Sequence, residues 1–255
     1  MLRAVSGMLK FGRLPVLAGL FFCCAVFPLT MRATTLNMDV LPTALGWGNY
    51  TCSSPGASNT VSGGVLTMVS PTCDEFQAPA ADWNAVVSPT TAWYVEARVR
   101  LDSGSTLPFC NPVPQCVYSN TGGLRLWMND NQNLTTLDIA TDGVYLNTNP
   151  GVIYALDTSQ FHTYRVDGFG KSIRLSIDGT LVATSMAEFS GTTGFFFGDG
   201  AIDAATVSEW DYVTIQAIPE PSMGLVVLVV LAGGLCVRVR RPLHSIRVTR
   251  RGALQ

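Results

Sequence analysis

Trp93-Tyr94-Val95-Glu96-Ala97-Arg98-Val99-Arg100-Leu101 is the stretch that decides the fold. Trp93, Val95, Ala97, Val99 and Leu101 are apolar, while Tyr94, Glu96, Arg98 and Arg100 between them are polar or carry a polar tip. Apolar residues at every second position line one side of an extended chain, so this period predicts a strand with one face on a core. The same test selects Leu124 to Met128, Thr136 to Ile139 and Phe161 to Val166, each followed by Asp, Asn or Gly. Ser172 to Ile177 also alternates, Asp178-Gly179 supplies the positive φ angles of a type I′ turn, and Leu181-Val182-Ala183 returns as the second arm of a hairpin. Phe195-Phe196-Phe197 and Trp210 to Ile215 complete the set. Between Thr34 and Pro219 no stretch shows a helical period with caps, and Thr184 to Phe189 reads as a short turn. Seven or more short strands separated by turn residues predict an all-β fold, two antiparallel sheets packed as a sandwich.

The totals agree with one such domain. The chain has 255 residues, 47% of them hydrophobic and 13% charged, enough for a single good core. Mean hydropathy is +0.29, raised by two apolar termini, whereas the middle is rich in Gly, Thr, Ser, Asn and Asp. Between Asp39 and Asp211 stand 17 acidic and 6 basic residues, a net of 6 − 17 = −11. Such a surface repels phosphate backbones, which excludes nucleic acid and leaves cations or neutral polymers as partners.

Both ends read as targeting segments. Arg3, Lys10 and Arg13 precede the apolar run Leu14 to Leu29, and residues 1–33 are expected to be a signal helix for the Sec translocon, with Cys23-Cys24-Ala25 or Met31-Arg32-Ala33 as cleavage sites. A lipoprotein signal through Cys23 or Cys24 and an uncleaved anchor are the alternatives. At the other end, residues 222–237 carry no charge and precede Arg238, Arg240 and Arg241, the pattern of a short transmembrane helix with its basic flank in the cytoplasm. The division is then 1–33 signal, 34–217 exported β-domain, 218–241 membrane-directed segment and 242–255 basic tail. In an oxidising compartment Cys52, Cys73, Cys110 and Cys116 form two disulfides; of three connectivities, Cys52–Cys73 with Cys110–Cys116 is favoured because each closes a local loop.

Pro219-Glu220-Pro221, the hydrophobic run and the arginines together resemble the PEP-CTERM sorting signal of Gram-negative bacteria. The resemblance implies an exosortase as partner, removal of the helix, and display at the cell surface or in the extracellular matrix; the tail from Pro242 to Gln255 is longer than that pattern usually has. A second resemblance covers roughly residues 61–215. Phe161-His162-Thr163-Tyr164-Arg165-Val166, Ile173 to Gly179 and Trp210-Asp211-Tyr212-Val213 look like the laminin-G and concanavalin A-like jelly roll. It implies a fold and a range of activities from glycan binding to hydrolysis.

The residues themselves offer few catalytic candidates. Polysaccharide hydrolysis needs paired carboxylates, and no Glu-x-Asp-x-Glu run occurs. Asp74-Glu75 are adjacent beside a cysteine; Glu209 and Asp211 share a strand face that reads as solvated. His162, on a strand, reads as structural, and there is no Gly-x-Ser-x-Gly elbow. No cofactor is expected other than calcium, for which Asp130 within Asn129 to Asn133, and Asp199 and Asp203 in a second loop, supply oxygens, although such residues also make ordinary turns. Tyr94, Tyr118, Trp127 and Tyr145 are the aromatics that can stack on sugar rings, with Arg125 on the same face as Trp127, a face that is either a glycan platform or core. The expected role is therefore a non-catalytic glycan-binding or structural module; the alternative is a hydrolase or lyase of the same fold acting on extracellular polysaccharide.

Overall fold

The computed structural model describes residues 33–51, 56–88, 90–104, 123–148, 151–189, 193–200 and 205–218. Residues 1–32 and 219–255, which hold the expected signal segment, Pro219, Glu220, Pro221 and the expected membrane helix, lie outside them. Among the described residues no helix is long and apolar enough to cross a membrane.

The chain runs through β1 (Ala33–Asn37), a 3-10 turn (Pro42–Leu45), β2 (Gly48–Thr51), β3 (Ser58–Ser62), β4 (Val65–Ser70), β5 (Asp74–Gln77) and α1 (Ala80–Val86). The long strand β6 (Trp93–Ser103) follows, then β7 (Leu124–Asp130), β8 (Asn133–Ala140), β9 (Gly143–Asn147) and β10 (Val152–Ala155). The last part holds β11 (His162–Phe169), β12 (Ser172–Ile177), β13 (Thr180–Met186), β14 (Glu188–Phe189), β15 (Thr193–Asp199) and β16 (Thr206–Ala217). One antiparallel sheet has the order β13-β12-β11-β6-β16-β4-β3, with β1 also on β16; the other runs β10-β9-β8-β7-β15-β5-β2, with β14 on β8. We call them sheets A and B.

Alternation does what the sequence predicts. Trp93, Val95, Ala97, Val99 and Leu101 of β6 are 0–2% exposed, and Phe195 and Phe197 are buried while Phe196 between them is only half-buried. The inward residues of both sheets form one core around Phe76, Trp83, Phe195, Phe197 and Trp210. Rings meet there as stacked, tilted and edge contacts, for example Phe197 and Trp210 tilted at 4.9 Å between centroids. The Asp178-Gly179 turn has φ values of 49° and 77°, positive at both positions as expected, and joins β12 to β13.

Two expectations fail. The Thr184–Phe189 segment is strand, the end of β13 and then β14. Residues 80–86 are helical although no helical period was legible: α1 is seven residues long, too short to display one, and tertiary packing holds it. Trp83 is the anchor, with no exposed surface, stacked on Phe195 at 5.4 Å, its indole N–H donated to the Asn129 carbonyl at 2.7 Å.

Candidate active site

Sheet B presents a second face, turned away from the core, and its register fixes what stands there. Asp138 pairs with Tyr145 on one side and Arg125 on the other; Gly198 pairs with Arg125 and with Glu75; Glu75 pairs with Tyr50. Because directly opposed residues share a face, Tyr145, Asp138, Arg125, Gly198, Glu75 and Tyr50 form one row across six strands. A parallel row, two residues along each strand, holds Asn147, Thr136, Trp127, Phe196, Gln77 and Gly48. Glycine at 198 leaves Glu75 and Arg125 on either side of a bare strand. Its φ is 139°, and a Cβ there would sit 2.4 Å from the Asp74 carbonyl oxygen, so no other residue fits.

The electrostatics of the first row are unusual. Arg125 donates from Nε to Asp138 Oδ1 at 2.6 Å, and both side chains are mostly covered. Glu75 is 8% exposed, and its Oε1 has no hydrogen-bond partner. Burial pushes the Glu75 carboxyl up to about 7; Arg125 opposes the rise, while Asp199, Asp138 and Asp74 add to it. Burial also raises Asp74, against hydrogen bonds from Asn59 and Asn49. In the second row Trp127 and Phe196 meet edge-on at 6.3 Å, and the Arg125 guanidinium lies 5.8 Å from the Trp127 ring. The face thus combines a carboxyl that holds its proton near neutral pH, an ion-paired second carboxylate and a pair of aromatic rings.

The sequence candidates fall into separate places. Trp127, Arg125 and Tyr145 share this face, so Trp127 is not a core residue. Tyr145 is 7% exposed beneath Gly151, whose added Cβ would stand 2.6 Å from the phenol oxygen; it walls the row and offers no open ring. Tyr94 is on sheet A, with Arg165 stacked 3.8 Å above its ring and its hydroxyl donated to Gln216, so it is remote from the others in the fold. Glu209 pairs with Arg100 at 2.8 Å and Asp211 with Arg98, which makes them members of a surface ion-pair network, as their solvated-face reading expects. His162 binds Asp178 at 2.6 Å and the Asp157 carbonyl at 2.9 Å, tying the β12–β13 turn to the segment before β11.

Asp130 is occupied by its own turn, accepting from the backbone N–H of Gln132 at 3.0 Å and of Asn133 at 2.7 Å. Asp199 lies at the other end of the same strand pair, about 20 Å away at 3.3 Å per residue, so the two cannot serve one ion. No group of three or more His, Cys, Asp or Glu among the described residues is placed to hold a metal. Cys73 is disulfide-bonded. Cys52, Cys110, Cys116, Tyr118 and Asp203 lie outside the described residues. Sequence reading weighed Glu75 only with its neighbour Asp74 and passed over Asp138, because the relation of Glu75 to Asp138 exists only through the order of strands β5, β15, β7 and β8.

No family model and no curated protein matches the chain. Solved structures do. A protein of unknown function from Shewanella oneidensis MR-1 is 14% identical, with 84% of this chain and 96% of that one covered and a TM-score of 0.50. A prokaryotic β-1,3-1,4-glucanase (lichenase) derived from a mouse hindgut metagenome is 14% identical over 73% of this chain and 99% of its own, TM-score 0.48. The Bacillus licheniformis β-glucanase is 15% identical over 75% and 100%, TM-score 0.47. The domain is an all-β antiparallel sandwich, similar in fold to these β-glucanases. The expectation of a non-catalytic module is withdrawn, because sheet B gathers carboxyls that the sequence did not pair, Glu75 and Asp138, in one row with Arg125. Likeness at this identity concerns the fold, so the chemistry has to come from the residues of sheet B.

Proposed function

We propose that the outward face of sheet B acts on polysaccharide, with Glu75 as the proton donor. The observation that carries this is the buried Glu75 carboxyl, lifted to about 7 and lacking a partner at Oε1, in a row that also holds Arg125 and Asp138. A carboxylic acid poised near neutral pH is suited to protonating the oxygen of a departing sugar. Asp138, with Arg125 fixing its carboxylate, is the group that orients or activates water. Two strands, β15 and β7, lie between β5 and β8, so the two Cα atoms are about 14 Å apart. Trp127 and Phe196 supply apolar faces on which sugar rings stack in neighbouring subsites.

The test is release of reducing ends from a panel of polysaccharides by wild type and Glu75→Gln. The variant should lose at least about 100-fold in kcat while still binding. Equal turnover by the two proteins on any substrate would remove Glu75 from the mechanism. We further propose that this domain is delivered by the two ends of the chain: export through the Sec translocon, then recognition of Pro219-Glu220-Pro221 by an exosortase and release to the cell surface or matrix of a Gram-negative bacterium. The resemblance at residues 219–241 supports that reading, and the intact mass of the surface-located protein tests it: mass beyond Pro221 would count against processing.

A further inference from the structure

The hairpin that joins β11 to β12 gives sheet A an apolar and basic corner. Gly170, at a φ of 54°, and Lys171 make its turn, which sets Phe169 opposite Ser172, and Ser172 pairs in turn with Met186 of β13. Opposed residues share a face, so Phe169 and Met186 both stand on the outward side of sheet A, 54% and 53% exposed. Lys171 and Arg174 are exposed beside them. Arg98, Arg100, Arg125 and Arg165 are each held by a carboxylate, whereas Lys171 and Arg174 have no ion-pair partner among the described residues. Asp167, opposite Arg174, already accepts two N–H groups of Arg165 at 3.0 and 2.8 Å. Glu188, two residues past Met186, belongs to sheet B and acts on the Tyr145 phenol there.

The same end of sheet A is where the described chain stops. Ile218 donates its backbone N–H to the Ala92 carbonyl at 2.7 Å; Ala217 pairs with Trp93, and Trp93 with Gly168, the neighbour of Phe169. Two inter-strand steps therefore separate Ile218 from Phe169, about 10 Å, and two more reach Met186. Ser222, where the apolar run expected to enter a membrane begins, is four residues on and so within about 14 Å of Ile218.

We propose that this corner docks on an anionic lipid surface. Phe169 and Met186 enter the boundary between head groups and acyl chains, and Lys171 and Arg174 meet lipid phosphates. The inference goes beyond the polysaccharide-active reading and rests on residues 222–237 holding the chain at a membrane. Two cations and two apolar side chains bind only marginally by themselves; a tether of a few residues supplies the local lipid concentration that makes the contact count. At physiological salt a charge acts over about 8 Å, so the corner presents its own positive sign and not the negative sum of the domain. Docked in this way, the domain keeps the outward face of sheet B, on the far side of the sandwich, open to polymer.

The test reconstitutes the full chain in vesicles of phosphatidylcholine alone or of an equal mixture with phosphatidylglycerol. Lys10 and Lys171 are the only lysines of the chain, so peptide mass after treatment with a water-soluble acylating reagent reads the accessibility of the corner directly. Lys171 should react at least about fivefold more slowly in the anionic vesicles. Phe169→Ser combined with Met186→Ser should restore the faster rate, and Arg174→Glu should do so separately; all three side chains are exposed, so the fold tolerates the changes. Equal rates in the two vesicles, or protection that survives in the double variant, would overturn the proposal. Protection without lipid that grows with protein concentration would assign the corner to a second copy of the chain and overturn it too. Flotation of the protein with the neutral vesicles reports the membrane segment separately: its failure would remove the tether, while docking would still be judged by Lys171 in the anionic vesicles.

Discussion

Glu75→Gln has a consequence for stability that is independent of any substrate. In the folded domain the Glu75 carboxyl is raised from its ordinary 4.5 to about 7, chiefly by burial. Below about pH 4.5 the group is protonated folded or unfolded and costs nothing; above about 7 the folded state must hold a buried carboxylate that the unfolded chain holds in water. In between, the folded state binds the extra proton, so stability falls as pH rises. The difference of about 2.5 in pKa, at about 1.4 kcal/mol each, gives a loss of about 3 kcal/mol between about pH 4.5 and 8. Glutamine keeps the shape and has no proton to lose. Urea denaturation across that range should show wild type losing about 3 kcal/mol more than the variant, or roughly 6–12 °C more in Tm for a domain of this size. Asp74 is also raised and contributes in the same direction to both proteins, so the difference between them reports Glu75 together with its charge coupling to Asp74. Parallel pH profiles for the two proteins would refute the buried-acid account, and with it the reason to regard Glu75 as a proton donor.

Three further outcomes follow from the same geometry. Gly198→Ala should destabilise by at least about 2 kcal/mol in denaturant titration, because a side chain is strained at a φ of 139° and its Cβ would lie 2.4 Å from a carbonyl oxygen. Tyr164→Phe should stabilise by about 1 kcal/mol, since the hydroxyl is buried with no partner; a loss of stability would mean that the group is satisfied in solution. Peptide mapping should find Cys73 bridged to Cys52, because their sequence neighbours Asp74 and Thr51 are cross-strand partners, and a Cys110 or Cys116 partner would refute that pairing.

Much of the sandwich was legible in short-range pattern. Trp93 to Leu101, Ser172 to Ala183 and Trp210 to Ile215 announce themselves because one face of each must be apolar and the turn between β12 and β13 needs positive φ. The briefer strands β2, β5 and β10, of four residues each, carry too few alternations to be read. Helix α1 is likewise silent, because Trp83 fixes it through contacts with Phe195 and Asn129, more than forty positions away.

By itself the sequence determined the all-β class, the inward and outward identity of each long strand, the acidic balance of the domain, and the placing of Arg125 and Trp127 on a common face. These follow from the two-residue period of an extended chain and from counting charge. Only the tertiary structure decided that Glu75 and Asp138 stand in one row with Arg125, that Tyr94 belongs to the opposite sheet, and that Glu209 and Asp211 are neutralised by arginines. Strand order is set by long-range pairing, which leaves no local mark. Burial is set by what the other strands bring, and an acidic side chain acquires an altered proton affinity only when that surrounding has formed.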